Sequence, residues 1–348
     1  MAGRLSQLKV DAVLVSSPAN VRYLSDYTGS NGLVLIAPGE THFFTDPRYA
    51  IEASQKISGH VHIVKGPMID GVAALLKRKR FKKIGFEAAW LKYEEYARLK
   101  DLLPLGSALV AVGRVIEEER MVKSASEIEK IRNSVQVNSE AFSRAAKKIR
   151  TGVREQEIAA EIDFQMRRLG AEKPAFDTIV AAGDRSALPH AHPSGRRLGE
   201  NELLLIDMGA SVDGYSSDMT RMISCGSVSK RARFLYNAVL EAQLASIDAV
   251  RPGIPASKVD QAARGVLKKH NLDKLFVHST GHGLGLEIHE PPRVGRKDKT
   301  ILRAGMAITI EPGAYIEGFA GVRIEDTVLV TENGCEVLTP TPKELLKI

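Results

Sequence analysis

The sequence predicts an α/β N-terminal domain over residues 1–122 and a larger α+β domain over residues 123–348 with an internal pseudo-twofold repeat. Three observations lead there. Short apolar runs alternate with mixed segments through the first 120 residues. A helical period then takes over near Ser124. Beyond it, the chain repeats its own helix-and-strand pattern at offsets of 101 to 107 residues (152 to 253, 220 to 327).

The apolar runs are VDAVLVSS, GLVLIAPG, THFFTDP, VHIVK, KIGFE and ALVAV, each of strand length and bounded by turn residues or helical patterns. Strands interleaved with helices make an α/β layer domain. At RMVKSASEIEKIRNS, Ser124 and Glu127 have capping-box spacing, and Ile128, Ile131, Val135, Phe142 and Ile149 recur on one helical face. A long amphipathic helix therefore opens the second domain. RTGVREQEIAAEIDFQMRRLG then aligns with RPGIPASKVDQAARGVLKKHN, setting Gly152 on Gly253, Ile158 on Val259, Ile162 on Ala263 and Met166 on Leu267. IDMGASVDGY aligns with IEPGAYIEGF, pairing Asp207 with Glu311 (311 − 207 = 104), Gly209 with Gly313 and Asp213 with Glu317. Asp218 and Thr220 fall on Glu325 and Thr327 (325 − 218 = 107). Two such units predict strands that join into one sheet, helices outside it, and a site near the axis relating the halves.

Composition narrows the function. The chain is 348 residues long and 44% hydrophobic, ordinary for a globular protein. No apolar run approaches a membrane span and no signal-peptide pattern opens the chain, so the expected location is the cytoplasm. Cys225 and Cys335 cannot form a disulfide framework and lack metal-ligand spacing. The net charge is +7, and KRKRFKK from Lys77 to Lys83 is its densest basic run. That run follows GVAALL and precedes KIGFE, so it reads as a solvated helix end entering a strand, not as a nucleic-acid contact.

Chemistry gathers on duplicated acids. Asp207 and Glu311 end the apolar runs LLLI and AITI, while Asp218 and Glu325 lie in the partner strands YSSDMTRMIS and VRIEDTVLV. Four ionised carboxylates facing one another repel and are costly to bury without cations. FVHSTGHGLGLEIHEPP, from Phe276 to Pro292, adds imidazoles at His278, His282 and His289. A helical zinc pair does not suit it, because Gly281, Gly283 and Gly285 disfavour a helix and no Glu follows His278. The reading that joins these facts is a dinuclear metal site of Asp207, Asp218, His282, Glu311 and Glu325. Its oxygen-rich donors favour two ions such as Mn²⁺, with Co²⁺ or Zn²⁺ as alternatives.

At these residues the second domain resembles the pita-bread metallopeptidases, and the longer motifs resemble their proline-peptidase branch, prolidase and aminopeptidase P. The motifs are AFDTIVAAGDRSALPHAHP, LLLIDMGASVDGYSSDMTR, VHSTGHGLGLEIHEPP and ITIEPGAYIEGFAGVRIEDT. The first domain, with SPANVRYLSDYTG, resembles the creatinase/prolidase N-terminal domain, so the likeness spans essentially the whole chain. It implies that His190 and His289 stabilise charge developing on the substrate carbonyl. It also implies that Arg323 orients Asp218, that Glu311 accepts a proton, and that the protein is a homodimer. His192 and His278 are assigned structural or supporting roles.

The implied reaction is hydrolysis of the bond between an N-terminal residue and proline, with a lean toward dipeptides over longer peptides. Arg293 is a candidate partner for the carboxylate of a dipeptide, with a plain surface arginine as the competing reading. The alternatives are a methionine aminopeptidase-like enzyme of the same fold and, from another class, a non-catalytic peptide-binding relative. The N-terminal domain and the ALPHAHP and IHEPP contexts argue against the first, and the complete set of five ligand types argues against the second.

Overall fold

A computed structural model of the chain describes residues 2–348 and divides into two compact units, Met1–Arg120 and Met121–Ile348. In the first unit six strands, β1 (Ala12–Val15), β2 (Leu33–Ala37), β3 (Glu40–Thr45), β4 (His60–Ile63), β5 (Lys83–Glu87) and β6 (Ala108–Val112), form one mixed sheet in the order β4-β3-β2-β1-β5-β6. The β1–β2 and β2–β3 pairs are antiparallel, and β3–β4, β1–β5 and β5–β6 are parallel. Ala12, Leu14, Leu33 and Leu35 pack on one face against Val72 and Leu76 of helix Met68–Lys79. Val13, Val15, Val34 and Ile36 fill the other face with Val21 of helix Pro18–Ser25. Both faces of the central strands are buried, which is why their sequences are continuously apolar. The basic run is the end of a helix. Lys77, Arg78 and Lys79 occupy the last turn of Met68–Lys79, where the helix dipole favours cations, and Lys83 starts the next strand.

The second unit opens with helix Ala125–Ala146, capped as its sequence predicts. Ser124 Oγ accepts from Glu127 N at 3.3 Å, and Glu127 Oε2 accepts from Ser124 N at 2.9 Å. Ile149 lies past the helix end but is still buried. The repeated helices are Glu155–Arg168 and Ala256–Lys269, and all six matched residues, Ile158 with Val259, Ile162 with Ala263 and Met166 with Leu267, face the core. Each half also contributes an antiparallel strand pair: Glu202–Met208 with Met219–Cys225, and Ala307–Ile310 with Asp326–Val330.

These pairs do not join into the single expected sheet. The first belongs to a four-stranded sheet with Ile179–Ala182 and Leu346–Lys347, and the second to a five-stranded sheet with Gly281–Gly283, Glu290–Val294 and Cys335–Val337. A buried guanidinium stands at their junction. Arg221 donates to the carbonyls of Thr220 at 3.0 Å and Glu325 at 2.6 Å, and pairs with Asp326 at 2.7 Å. It bridges the two strands at that point, and Glu325 N reaches Thr220 O at 3.2 Å beside it.

Candidate metal centre

The five proposed ligands converge at that junction. Asp207 is the penultimate residue of strand Glu202–Met208, and Asp218 immediately precedes strand Met219–Cys225. In the other half Glu311 directly follows strand Ala307–Ile310, and Glu325 directly precedes strand Asp326–Val330. His282 is central in the three-residue strand Gly281–Gly283. Its neighbours must be glycine, since a Cβ at Gly281 would stand 1.9 Å from Thr309 O and one at Gly283 2.2 Å from Pro291 O. The glycines thus let flanking strands close around the imidazole.

His282 Nε2 stands 3.4 Å from Glu311 Oε1 and 3.6 Å from Asp218 Oδ2. Donor atoms of Asp218, His282 and Glu325 all lie within 4.8 Å of one another. The ring's other nitrogen, Nδ1, is 3.0 Å from Gly283 O, so it carries the proton and leaves the Nε2 lone pair facing the acids. Burial holds the imidazole neutral, pushing its pKa down to about 4. Burial also pushes Glu311 up to about 7 and raises Asp218 and Glu325 well above the usual carboxylate range, aided by repulsion among the acids.

This donor set fits divalent cations. Arg323 is the cation paired with an acid of the cluster, through Asp207 Oδ2, whereas Arg221 is spent on Asp326. The other oxygen of Asp207, Oδ1, is buried without a hydrogen-bond partner. An orphaned carboxylate oxygen among further buried acids is the arrangement a metal ion satisfies.

Supporting residues cross between the halves. Thr220, from the first half, donates to Glu325 Oε2 at 2.7 Å; its repeat equivalent Thr327, from the second, donates to Asp218 O at 3.0 Å. Each half therefore steadies an acid of the other. Arg323 acts on Asp218 through its charge, and its hydrogen bonds go to other groups. Its Nε donates to Thr220 Oγ1 at 3.1 Å, NH1 to Tyr315 Oη at 2.8 Å, and NH2 to Asp207 Oδ2 at 2.5 Å. Strand register explains those bonds: Thr220 pairs with Asp207, so a guanidinium resting on Thr220 meets Asp207 next.

Three residues that bond to this cluster carry no motif signal: Thr220, Tyr315 and Thr309, whose hydroxyl donates to Glu311 Oε1 at 3.4 Å. The duplication of Thr220 in Thr327 was the available clue. His278 is tied into the same network, with Nε2 2.8 Å from Tyr315 Oη and Nδ1 2.8 Å from Ser279 O. His289 is exposed, with its ring edge-on to His282 at a centroid distance of 4.4 Å. His190 and His192 are exposed as well, and the main-chain oxygen of His192 accepts from Arg185. Arg293 lies directly opposite His282 across the strand pair, so the two side chains share a face. It lines a cavity of about 690 Å³ together with His278 and Ser279.

Comparison with known proteins places this geometry in context. Residues 129–332 match the profile of metallopeptidase family M24, and residues 2–122 match the creatinase/prolidase N-terminal domain. The chain is 40% identical to the Xaa-Pro dipeptidase of Pyrococcus furiosus, over 98% of this chain and 97% of that one. A solved Xaa-Pro dipeptidase from Bacillus anthracis superposes with a TM-score of 0.96 at 38% identity, covering 99% of this chain and 97% of its own. The X-Pro aminopeptidase from Thermotoga maritima superposes with a TM-score of 0.92 at 34% identity, covering 100% and 99%.

Proposed function

The chain belongs to metallopeptidase family M24, and on that premise we propose that it is a Xaa-Pro dipeptidase, cleaving the bond between an N-terminal residue and proline. The observation that carries this reading is the cluster of Asp218, His282 and Glu325, with Glu311 beside His282 and Asp207 acting on Asp218, at the junction of two repeated halves in a chain that matches a dipeptidase over nearly its whole length. Asp207, Asp218, His282, Glu311 and Glu325 would hold two divalent ions, for which the oxygen-rich donors favour Mn²⁺ over Co²⁺ or Zn²⁺. When bound, the ions would supply Lewis acidity toward the scissile carbonyl and toward water.

The protein's own groups do the rest. Glu311 is the proton acceptor: its side chain is 17% exposed against 6% for Asp218, so it can pass a proton on to the leaving amine. His289 and His190 donate to the carbonyl oxygen as negative charge grows there, which stabilises the transition state more than the ground state. Arg323 holds Asp207 in place from behind, Tyr315 holds Arg323, and His278 holds Tyr315. Arg293, exposed and paired in register with His282, is the candidate seat for the free proline carboxylate of a dipeptide.

Cleavage of longer Xaa-Pro peptides is the second reading, supported by the likeness to the Thermotoga maritima X-Pro aminopeptidase. The creatinase/prolidase N-terminal domain weighs against a methionine aminopeptidase-like activity. Retention of all five donor residues weighs against a non-catalytic peptide binder. We further propose a cytoplasmic homodimer. Among the described residues no helix is long and apolar enough to cross a membrane. The test is a panel of Ala-Pro, Gly-Pro, Met-Ala and Ala-Pro-Ala offered to chelated protein resupplied with Mn²⁺, Co²⁺ or Zn²⁺. Cleavage of Ala-Pro and Gly-Pro ahead of Ala-Pro-Ala supports the dipeptidase. Preference for Ala-Pro-Ala moves the assignment to the aminopeptidase, and cleavage of Met-Ala alone overturns both.

A further inference from the structure

Three of the nine histidines lie outside the catalytic unit and meet on the N-terminal sheet. His42 comes from β3, and His60 and His62 come from the edge strand β4. Parallel pairing sets His42 opposite His60 and Phe44 opposite His62. The rings of His42 and His60 stack at 4.8 Å, inclined by 20°. His42 Nδ1 is 3.0 Å from His62 Nε2, and Glu40 joins the group from the start of β3.

The polar accounting at His42 is incomplete. The residue is 3% exposed, and its Nε2 has no hydrogen-bond partner. Glu40 Oε2 lies 3.2 Å from that nitrogen yet off the line on which a ring N–H would point. His60 Nε2 stands 3.9 Å from the same oxygen. Two ligands of a tetrahedral ion with bonds of 2.0–2.1 Å are about 3.4 Å apart, a separation these two distances bracket. His62 completes the pattern. By accepting the Nδ1 proton of His42 it would leave the Nε2 lone pair bare, as the outer partner of a metal-bound imidazole does. Lys79 Nζ, 2.6 Å from Glu40 Oε1, holds the carboxylate ionised.

We propose that His42, His60 and Glu40 form a binding site for one imidazole-preferring divalent ion of the Zn²⁺, Ni²⁺ or Cu²⁺ class, which staples the edge strand β4 to β3. The donors are not yet all within one ion's reach. His60 is 62% exposed on an edge strand, so ions can enter from solvent, and binding requires its ring to turn from its stack on His42. Two imidazoles and one carboxylate suit these metals better than Mn²⁺ or Mg²⁺, which separates this site chemically from the oxygen-rich centre of the other unit.

Metal content per chain tests the proposal on full-length wild type and on His60→Gln, whose exposed position spares the core. After chelation and dialysis against Zn²⁺, wild type should retain one more ion than His60→Gln. Dialysis against Mn²⁺ should leave the two equal. Glu40→Gln should lose the same ion, and His62→Gln should bind it roughly ten- to a hundredfold more weakly, the usual cost of removing an outer partner. Equal zinc in wild type and His60→Gln overturns the site. So does a one-ion difference that vanishes when Asp218→Asn is present, because the ion would then belong to the catalytic centre. Circular dichroism on each variant identifies any loss caused by misfolding, and His60→Gln should hydrolyse Xaa-Pro dipeptides as wild type does.

Discussion

Replacing Thr220 by Val tests whether the two repeated threonines do unequal work. Valine preserves the β-branched shape in the strand and removes only the hydroxyl. In the structure that hydroxyl donates to Glu325 Oε2 at 2.7 Å and accepts from the charged Arg323 Nε at 3.1 Å, and the site is fully buried. A hydrogen bond to a charged group contributes about 1.5–3 kcal/mol and one to the protonated Glu325 carboxyl about 1 kcal/mol, so Thr220→Val should cost roughly 3 kcal/mol. Thr327→Val, its repeat equivalent, loses a donation to the neutral carbonyl of Asp218 and should cost about 1 kcal/mol. For a unit of the catalytic domain's size 1 kcal/mol shifts the melting temperature by roughly 2–4 °C, so the expected losses are about 6–12 °C and 2–4 °C. Differential scanning calorimetry on chelated protein reads both without metal linkage. Equal losses, or a larger one for Thr327→Val, would show that Thr220 is not the link between Arg323 and Glu325.

Chelation should abolish hydrolysis of Ala-Pro and Mn²⁺ or Co²⁺ should restore it; undiminished activity in protein shown by elemental analysis to be metal-free refutes the metal centre. Glu311→Gln and His282→Ala should each lower turnover by orders of magnitude, and near-normal turnover in either would remove that residue from the ligand set. His289→Ala should lower kcat roughly a hundred- to a thousandfold while metal content stays at the wild-type level, whereas His282→Ala should lose metal; the reverse pattern by elemental analysis exchanges their roles. Glu311 is raised from 4.5 to about 7 in the metal-free fold, so its contribution to stability is fully present below pH 4.5 and is lost as pH rises through 7. The increase in melting temperature on adding Mn²⁺ should therefore be larger at pH 7.5 than at pH 5, and an increase that shrinks with pH contradicts the buried carboxylates as ligands.

What was legible in the sequence was whatever depends on local period or on duplication. The strands of the first unit announce themselves because both faces of β1 and β2 are buried, and the helix after Ser124 because its capping box and apolar stripe lie within one stretch of chain. Duplication singled out Asp207, Asp218, Glu311 and Glu325, since matching acids at matching strand ends have no local reason to recur. What stayed hidden depends on which strands meet. The junction of the two sheets is held by Arg221, a residue that reads from sequence as one more strand arginine until its five donor contacts are seen to reach Thr220, Glu325, Asp326, Thr341 and Pro342.

Register explains both the hydrogen bonding of Arg323 and the silence of the histidines in the first unit. A guanidinium on Thr220 acts on Asp207 because those two residues are paired, and no spacing along the chain between 207, 220 and 323 carries that pairing. His42, within the run THFFTDP, and His60, just before the run VHIVK, likewise stand 18 residues apart (60 − 42). Parallel pairing of β3 with β4 makes them neighbours. The two cases share a cause. In the catalytic unit, pairing converts separate strand ends into one cluster of buried charge, and in the N-terminal unit it converts two ordinary strands into a wall of imidazoles. In both, a buried atom without a hydrogen bond, Asp207 Oδ1 in one and His42 Nε2 in the other, marks where pairing has left ligand capacity over. The difference in donor chemistry, carboxylate oxygen against imidazole nitrogen, then sorts the ions each place would select.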